Sequence, residues 1–167
     1  MCLRNLFYII YMNACGIVPS TVSKPVQRRD MKSKKRAMFV GRWQPFHNGH
    51  KWLISQKLDR GIPVLVAVRD IPPDEKNPFT TDQTVDMLQT AYRDNDVEVV
   101  VIPDIESINY GRGVGYEINE HVPPPDVGFV SATSIRERIK NSDESWKENV
   151  DEKIWEQVQA YLGAMSE

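Results

Sequence analysis

The stretch Ala37-Met38-Phe39-Val40-Gly41-Arg42-Trp43-Gln44-Pro45-Phe46-His47-Asn48-Gly49-His50 decides how this chain is read. Its first four residues form a short apolar strand that stops at Gly41, and from Gly49 to Leu58 the apolar spacing turns helical. A strand, a brief loop and a helix start set free backbone N–H groups and the positive end of a helix dipole over the edge of a sheet, a field that suits phosphate. Two of the three histidines, His47 and His50, stand there at i and i+3. They add donors to the same place, and Gly49 between them lets a ligand approach the backbone. Arg42 adds a cation. The i, i+3 spacing and the absence of a supporting cysteine speak against zinc, since a helical metal pair needs i, i+4. For the pair taken alone, a turn cap at His47 and a helix-surface residue at His50 is the plainer reading. Trp43 and Phe46 could stack on a base, though aromatics beside a first strand are more often packing residues.

Downstream the period keeps switching. Val64 to Val68 reads as a second, buried strand, and Val97 to Ile102 as a third. Between them Thr80 and Gln83 form a capping box that opens a helix with Val85, Leu88 and Tyr92 on its inner face. Asp151 caps a last helix with Ile154, Trp155, Val158, Tyr161 and Leu162 on one stripe. Strands alternating with helices predict an α/β fold: a Rossmann-like parallel sheet with right-handed crossovers, helices on both faces and ligands outside the carboxyl ends of the strands. Arg69 and Asp104, just past strands two and three, lie where such a ligand would sit; a salt bridge is the alternative reading for each.

A chain of 167 residues and 19.2 kDa holds one domain with a real core, not two. A net charge of -2 and a pI near 6.0 give no electrostatic case for wrapping nucleic acid. Cys2 and Cys15 are the only cysteines, so the body carries neither a disulfide framework nor a CxxC metal site and reads as cytosolic. Residues 1–36 differ from the rest, with an apolar run from Leu6 to Met12 and a basic cluster of Lys32, Lys34, Lys35 and Arg36. The run is too short to span a bilayer and makes only a weak secretory pattern. It reads as a disordered or non-native leader, with Met31 as an alternative start and the functional domain covering 37–167.

A second constellation lies at Phe129-Val130-Ser131-Ala132-Thr133-Ser134-Ile135-Arg136-Glu137-Arg138, where hydroxyl residues run into a helix. Ser131, Thr133 and Ser134 compete as N-cap, Ser134 with Glu137 has capping-box spacing, and a lone start of this kind would leave Arg136 and Arg138 solvated. It is not alone. His47-Asn48-Gly49-His50 resembles the HxGH signature of the nucleotidyltransferase superfamily, and Ser131-Ala132-Thr133 with Arg136 resembles that superfamily's ISSTxxR motif, Ala132 replacing one serine. The string from Gly41 to His50 and the stretch Lys76-Asn77-Pro78-Phe79-Thr80-Thr81 are most similar to the archaeal-type nicotinamide mononucleotide adenylyltransferases.

The resemblance implies the HxGH nucleotidyltransferase fold and transfer of a nucleoside monophosphate, AMP favoured, from a triphosphate to a small phosphorylated acceptor. Pyrophosphate would be released, with ATP (or CTP) as donor and Mg²⁺ as cofactor. It makes His47, His50 and Arg136 the catalytic residues, and gives nucleotide and phosphate contacts to Gly41, Arg42, Trp43, Gly49, Ser131 and Thr133. A homo-oligomer is the common superfamily form, and neither membrane nor nucleic acid is implied. A CTP-dependent enzyme and a non-catalytic nucleotide-binding module are the alternatives. In the archaeal group the acceptor's base is held by a strand and loop in an interval filled here by only 28 residues, Pro103 to Val130, too few for a complete copy. That interval holds Tyr110-Gly111-Arg112-Gly113-Val114-Gly115-Tyr116, which is neither a P-loop nor a dinucleotide fingerprint. Tyr110, Arg112 and Tyr116 join Arg69 and Asp104 as candidate acceptor contacts, a plain glycine-rich connection being the alternative.

Overall fold

The structure is a computed structural model that describes residues 35–163. The Leu6 to Met12 run, both cysteines, Met31, Lys32 and Lys34 lie outside the described residues.

Three strands, β1 (Ala37–Gly41), β2 (Val64–Asp70) and β3 (Val97–Pro103), pair in parallel in the order β1-β2-β3. Phe39 lies opposite Val66, and Val66 opposite Val99. The central strand is the most deeply buried, with Val64, Val66, Ala67 and Val68 all inside, as a strand flanked on both edges requires. Helix α1 (Asn48–Leu58) crosses from β1 to β2, and α2 (Thr81–Ala91) from β2 to β3. A helical turn α3 (Pro125–Gly128), α4 (Ala132–Lys140) and α5 (Trp155–Gly163) follow.

Alternation along the strands sends Phe39, Val64, Val66 and Val68 to one face, where they join Ile54 of α1, Met87 and Leu88 of α2, Ile135 of α4 and Val158 of α5 in one core. On the opposite face Met38 is 58% exposed. Ala67, also on that second face, is fully buried, so neither side of the sheet is bare. Helices α1 and α2 share the first face, because two right-handed crossovers that step the same way along a sheet carry both helices over the same side.

The caps follow the sequence closely. Thr80 and Gln83 form the reciprocal capping box. The inner face of α2 differs in detail, with Thr84, Met87, Leu88 and Ala91 buried and Val85 only partly so. Thr84 is tolerated inside because its hydroxyl donates to the Thr80 carbonyl at 3.0 Å. Asp151 accepts from the Lys153 N–H at 3.0 Å and pairs with Lys51 at 2.6 Å, capping a 3-10 turn (Glu152–Ile154) that runs into α5. Trp146 and Val150, in and after a second such turn (Glu144–Asn149), complete the core without any periodic warning in the sequence. Arg36 is tied to the sheet: its guanidinium pairs with Asp96 at 2.8 Å and donates to the Val64 carbonyl at 3.2 Å. Among the described residues, no helix is long and apolar enough to cross a membrane.

Candidate active site

The loop between β1 and α1 is organised around His47. Its backbone is extended (φ −144°, ψ 172°), and its Nδ1 accepts the Gly49 N–H at 3.1 Å, so the residue is the N-cap of α1. An Nδ1 that accepts is unprotonated, which places the proton of the neutral ring on Nε2 as a free donor. The cap reading of His47 therefore holds, and the same side chain keeps an N–H at Nε2. Gly49 makes room for the histidine: a Cβ there would stand 2.9 Å from the His47 ring.

One helical turn on, the His50 ring stacks on His47 with centroids 3.7 Å apart and planes 21° apart. Trp43 meets His50 edge-on at 5.0 Å and Phe46 lies 6.0 Å away, leaving the His50 Nδ1 buried without a partner. Burial lowers the His47 pKa to about 4, and burial together with the adjoining His47 lowers that of His50 to about 3. Both rings are neutral at pH 7, so each has one N–H to offer and carries no positive charge.

Trp43 is 2% exposed, holds a left-handed backbone (φ 56°) and donates its indole N–H to the Ala67 carbonyl at 3.2 Å. Its ring is therefore packing, not a nucleotide contact. Gly41 is small for the same reason, since a Cβ would meet that ring at 2.8 Å. Gly41→Ala is expected to cost about 1–3 kcal/mol of stability by overpacking. A lower urea midpoint with unchanged slope would show it.

At the start of α4 Ser131 is the N-cap by backbone conformation, without a side-chain cap bond, and the Ser134–Glu137 capping box does not form. Thr133 Oγ1 instead accepts from Arg136 Nη2 at 3.2 Å. The other terminal nitrogen of Arg136, Nη1, donates to the main-chain carbonyl of Gln44 at 2.7 Å, across a separation of 92 residues. The late helix is thereby joined to the histidine loop. Burial and the nearby Arg42 charge both pull the Arg136 pKa down, against Glu137 and Asp74, which raise it. Two guanidinium groups that feel each other this way are relieved by an anion between them. Arg42 itself is exposed and makes no hydrogen bond or ion pair among the described residues.

Residues 38–159 match the family described as cytidylyltransferase-like. The chain belongs to that family. The nicotinamide-nucleotide adenylyltransferase of Methanocorpusculum labreanum is 29% identical over 110 residues, 65% of this chain and 65% of that protein, so the match spans just under two thirds of the relative. Those of Pyrobaculum neutrophilum (28% over 162 residues, 78% of this chain and 90% of the relative) and Caldivirga maquilingensis (25% over 146, 69% and 82%) are covered more fully. The resemblance read from the two motifs holds, and with it the α/β fold.

In this cytidylyltransferase-like domain the residues set aside for an acceptor are not assembled. Arg69 and Asp104, at the ends of β2 and β3, engage each other (Nε to Oδ1, 2.6 Å), and that pairing holds the Asp104 carboxyl below its ordinary range. Tyr110 and Tyr116 are 64% and 59% exposed, and Arg112 between them is exposed as well. A groove of about 630 Å³ opens beside Thr133 and Arg136, bordered by Glu75, Glu137 and Lys140, and neither histidine lines it. It lies between α4, the loop ahead of α2 and the end of α5.

Sequence reasoning passed over Gln44, which is 6% exposed and joins three segments, and Asn77, whose amide binds Asp74 at 2.9 Å and fixes the loop ahead of α2. The Asp74-x-x-Asn77 spacing was the available signal, as carboxylates take N–H groups two and three residues on. Gln44 offered none.

Proposed function

We propose that this domain transfers AMP from ATP to the phosphate of a small phosphorylated acceptor, nicotinamide mononucleotide being the first to try, and releases pyrophosphate into the cytosol. The observation that carries the reading is the Arg136–Gln44 contact of 2.7 Å, which brings both phosphate motifs to one place. An acceptor phosphate oxygen attacks the α-phosphorus in line, a new P–O bond forms, and the bond to the β-phosphate oxygen breaks. The nucleophile is already anionic and needs no base. That agrees with histidines whose pKa values of about 4 and about 3 make them poor proton acceptors at neutral pH.

His50, with Nδ1 buried, directs Nε2–H at the α-phosphoryl oxygen, where charge grows in the transition state. His47 donates from Nε2 to the bridging region of the triphosphate, and Arg136, Thr133 and Arg42 hold the departing pyrophosphate. Mg²⁺ arrives with the triphosphate as part of the substrate. The acidic side chains nearest the loop are engaged, Asp74 with backbone and Asn77, and Asp104 with Arg69.

ATP or CTP with Mg²⁺, each offered with nicotinamide mononucleotide and a panel of phosphorylated metabolites, tests the reading by pyrophosphate release. The expected result is release with ATP well above CTP for at least one acceptor. Binding of triphosphate without release from any pair would make the domain a nucleotide-binding module instead.

A further inference from the structure

We infer that Gln44 is a positioning residue for Arg136, holding the pyrophosphate-gripping guanidinium in place through a two-way pairing of its own side chain with Phe79. The inference rests on the function proposed above. Gln44 Nε2 donates to the Phe79 carbonyl at 3.0 Å, and Gln44 Oε1 accepts the Phe79 N–H at 3.0 Å, both in buried surroundings. A carboxamide that donates and accepts with one backbone unit is held against both sliding and rotation. Phe79 is itself fully buried and directly precedes Thr80, the N-cap of α2. The Gln44 amide therefore pins the histidine loop to a rigid point of the core, and its main-chain carbonyl is pinned with it.

That carbonyl takes Arg136 Nη1 at 2.7 Å while Thr133 takes Nη2 at 3.2 Å. Two fixed acceptors on the two terminal nitrogens set the plane of the guanidinium and leave its remaining N–H groups for an anion. If the amide pairing is lost, the carbonyl moves and one of the two restraints on the arginine goes with it.

The test is a double-mutant cycle read by calorimetric binding of inorganic pyrophosphate with Mg²⁺, which needs no knowledge of the acceptor. Gln44→Met keeps the buried shape and removes both bonds; Gln44→Glu, which keeps the acceptor for the Phe79 N–H, replaces it should the first variant not fold. In the otherwise native chain the Gln44 substitution is expected to weaken binding about tenfold. In an Arg136→Met background it is expected to weaken it less than about twofold, because the group it positions is gone. A purely structural glutamine would lower the melting temperature in both backgrounds and weaken binding by the same factor in both. Equal factors, or no weakening in either, overturn the assignment. Failure of the native chain to bind pyrophosphate would remove the functional reading itself, and the role of Gln44 with it.

Discussion

His50→Ala protein is expected to fold and to bind MgATP within a few-fold of the native affinity, yet to release pyrophosphate about 10²–10³ times more slowly. The size follows from what the side chain is placed to do. A neutral donor aimed at the α-phosphoryl oxygen gains strength only as charge accumulates there, so its removal lowers kcat and kcat/KM together and leaves ground-state binding nearly alone. Burial is what makes it effective, since the packing of Trp43 and Phe46 around the ring excludes water and fixes its direction. Steady-state pyrophosphate release against ATP concentration, alongside circular dichroism of the variant, decides it. Turnover near that of the native protein would remove His50 from the mechanism.

Acid should unfold the domain unusually early. His47 ionises at about 4 in the folded state and near 6.5 when unfolded, so between those values the unfolded chain binds the additional proton. The contribution is complete above pH 6.5 and is withdrawn as pH falls towards 4, by which point His47 alone has cost about 3 kcal/mol. His50, lower still at about 3, adds in the same direction. Against a typical reserve of about 5–15 kcal/mol this is a large loss. Urea midpoints at pH 7.5 and 4.5 measure it, and His47→Asn provides the control: asparagine can still cap α1 but does not titrate, so its midpoints should lie closer together. An undiminished gap in that variant would place the acid sensitivity elsewhere.

The parts of the site that lie along one run of chain were legible in the sequence. The strand, the histidine loop and the helix start of 37–58 are set by local periodicity and one cap, as are the Thr80–Gln83 box and the Asp151 cap. The links across the fold were not. Gln44 meets Phe79 at a separation of 35 residues, and Arg69 meets Asp104 at the same separation. No spacing rule reaches that far, because such pairs are fixed by strand order and loop path. Three hydroxyls within four residues at the start of α4 give equal local claims to the cap, and burial of Ile135 in the core decides for Ser131. The strand order was hidden for a related reason, since alternation within each strand says nothing of which neighbour it takes.

Arg136 reaches a main-chain oxygen of the histidine loop, an atom that every residue type supplies. In the 27 residues from Asp104 to Val130, Ile108, Tyr110, Tyr116, Ile118, Val122 and Phe129 all stand in solvent. Side-chain changes within that interval consequently leave the two atoms of the Arg136–Gln44 bond in place. Under the proposed transfer, acceptor preference can vary there without touching the contact that joins the late helix to the histidine loop.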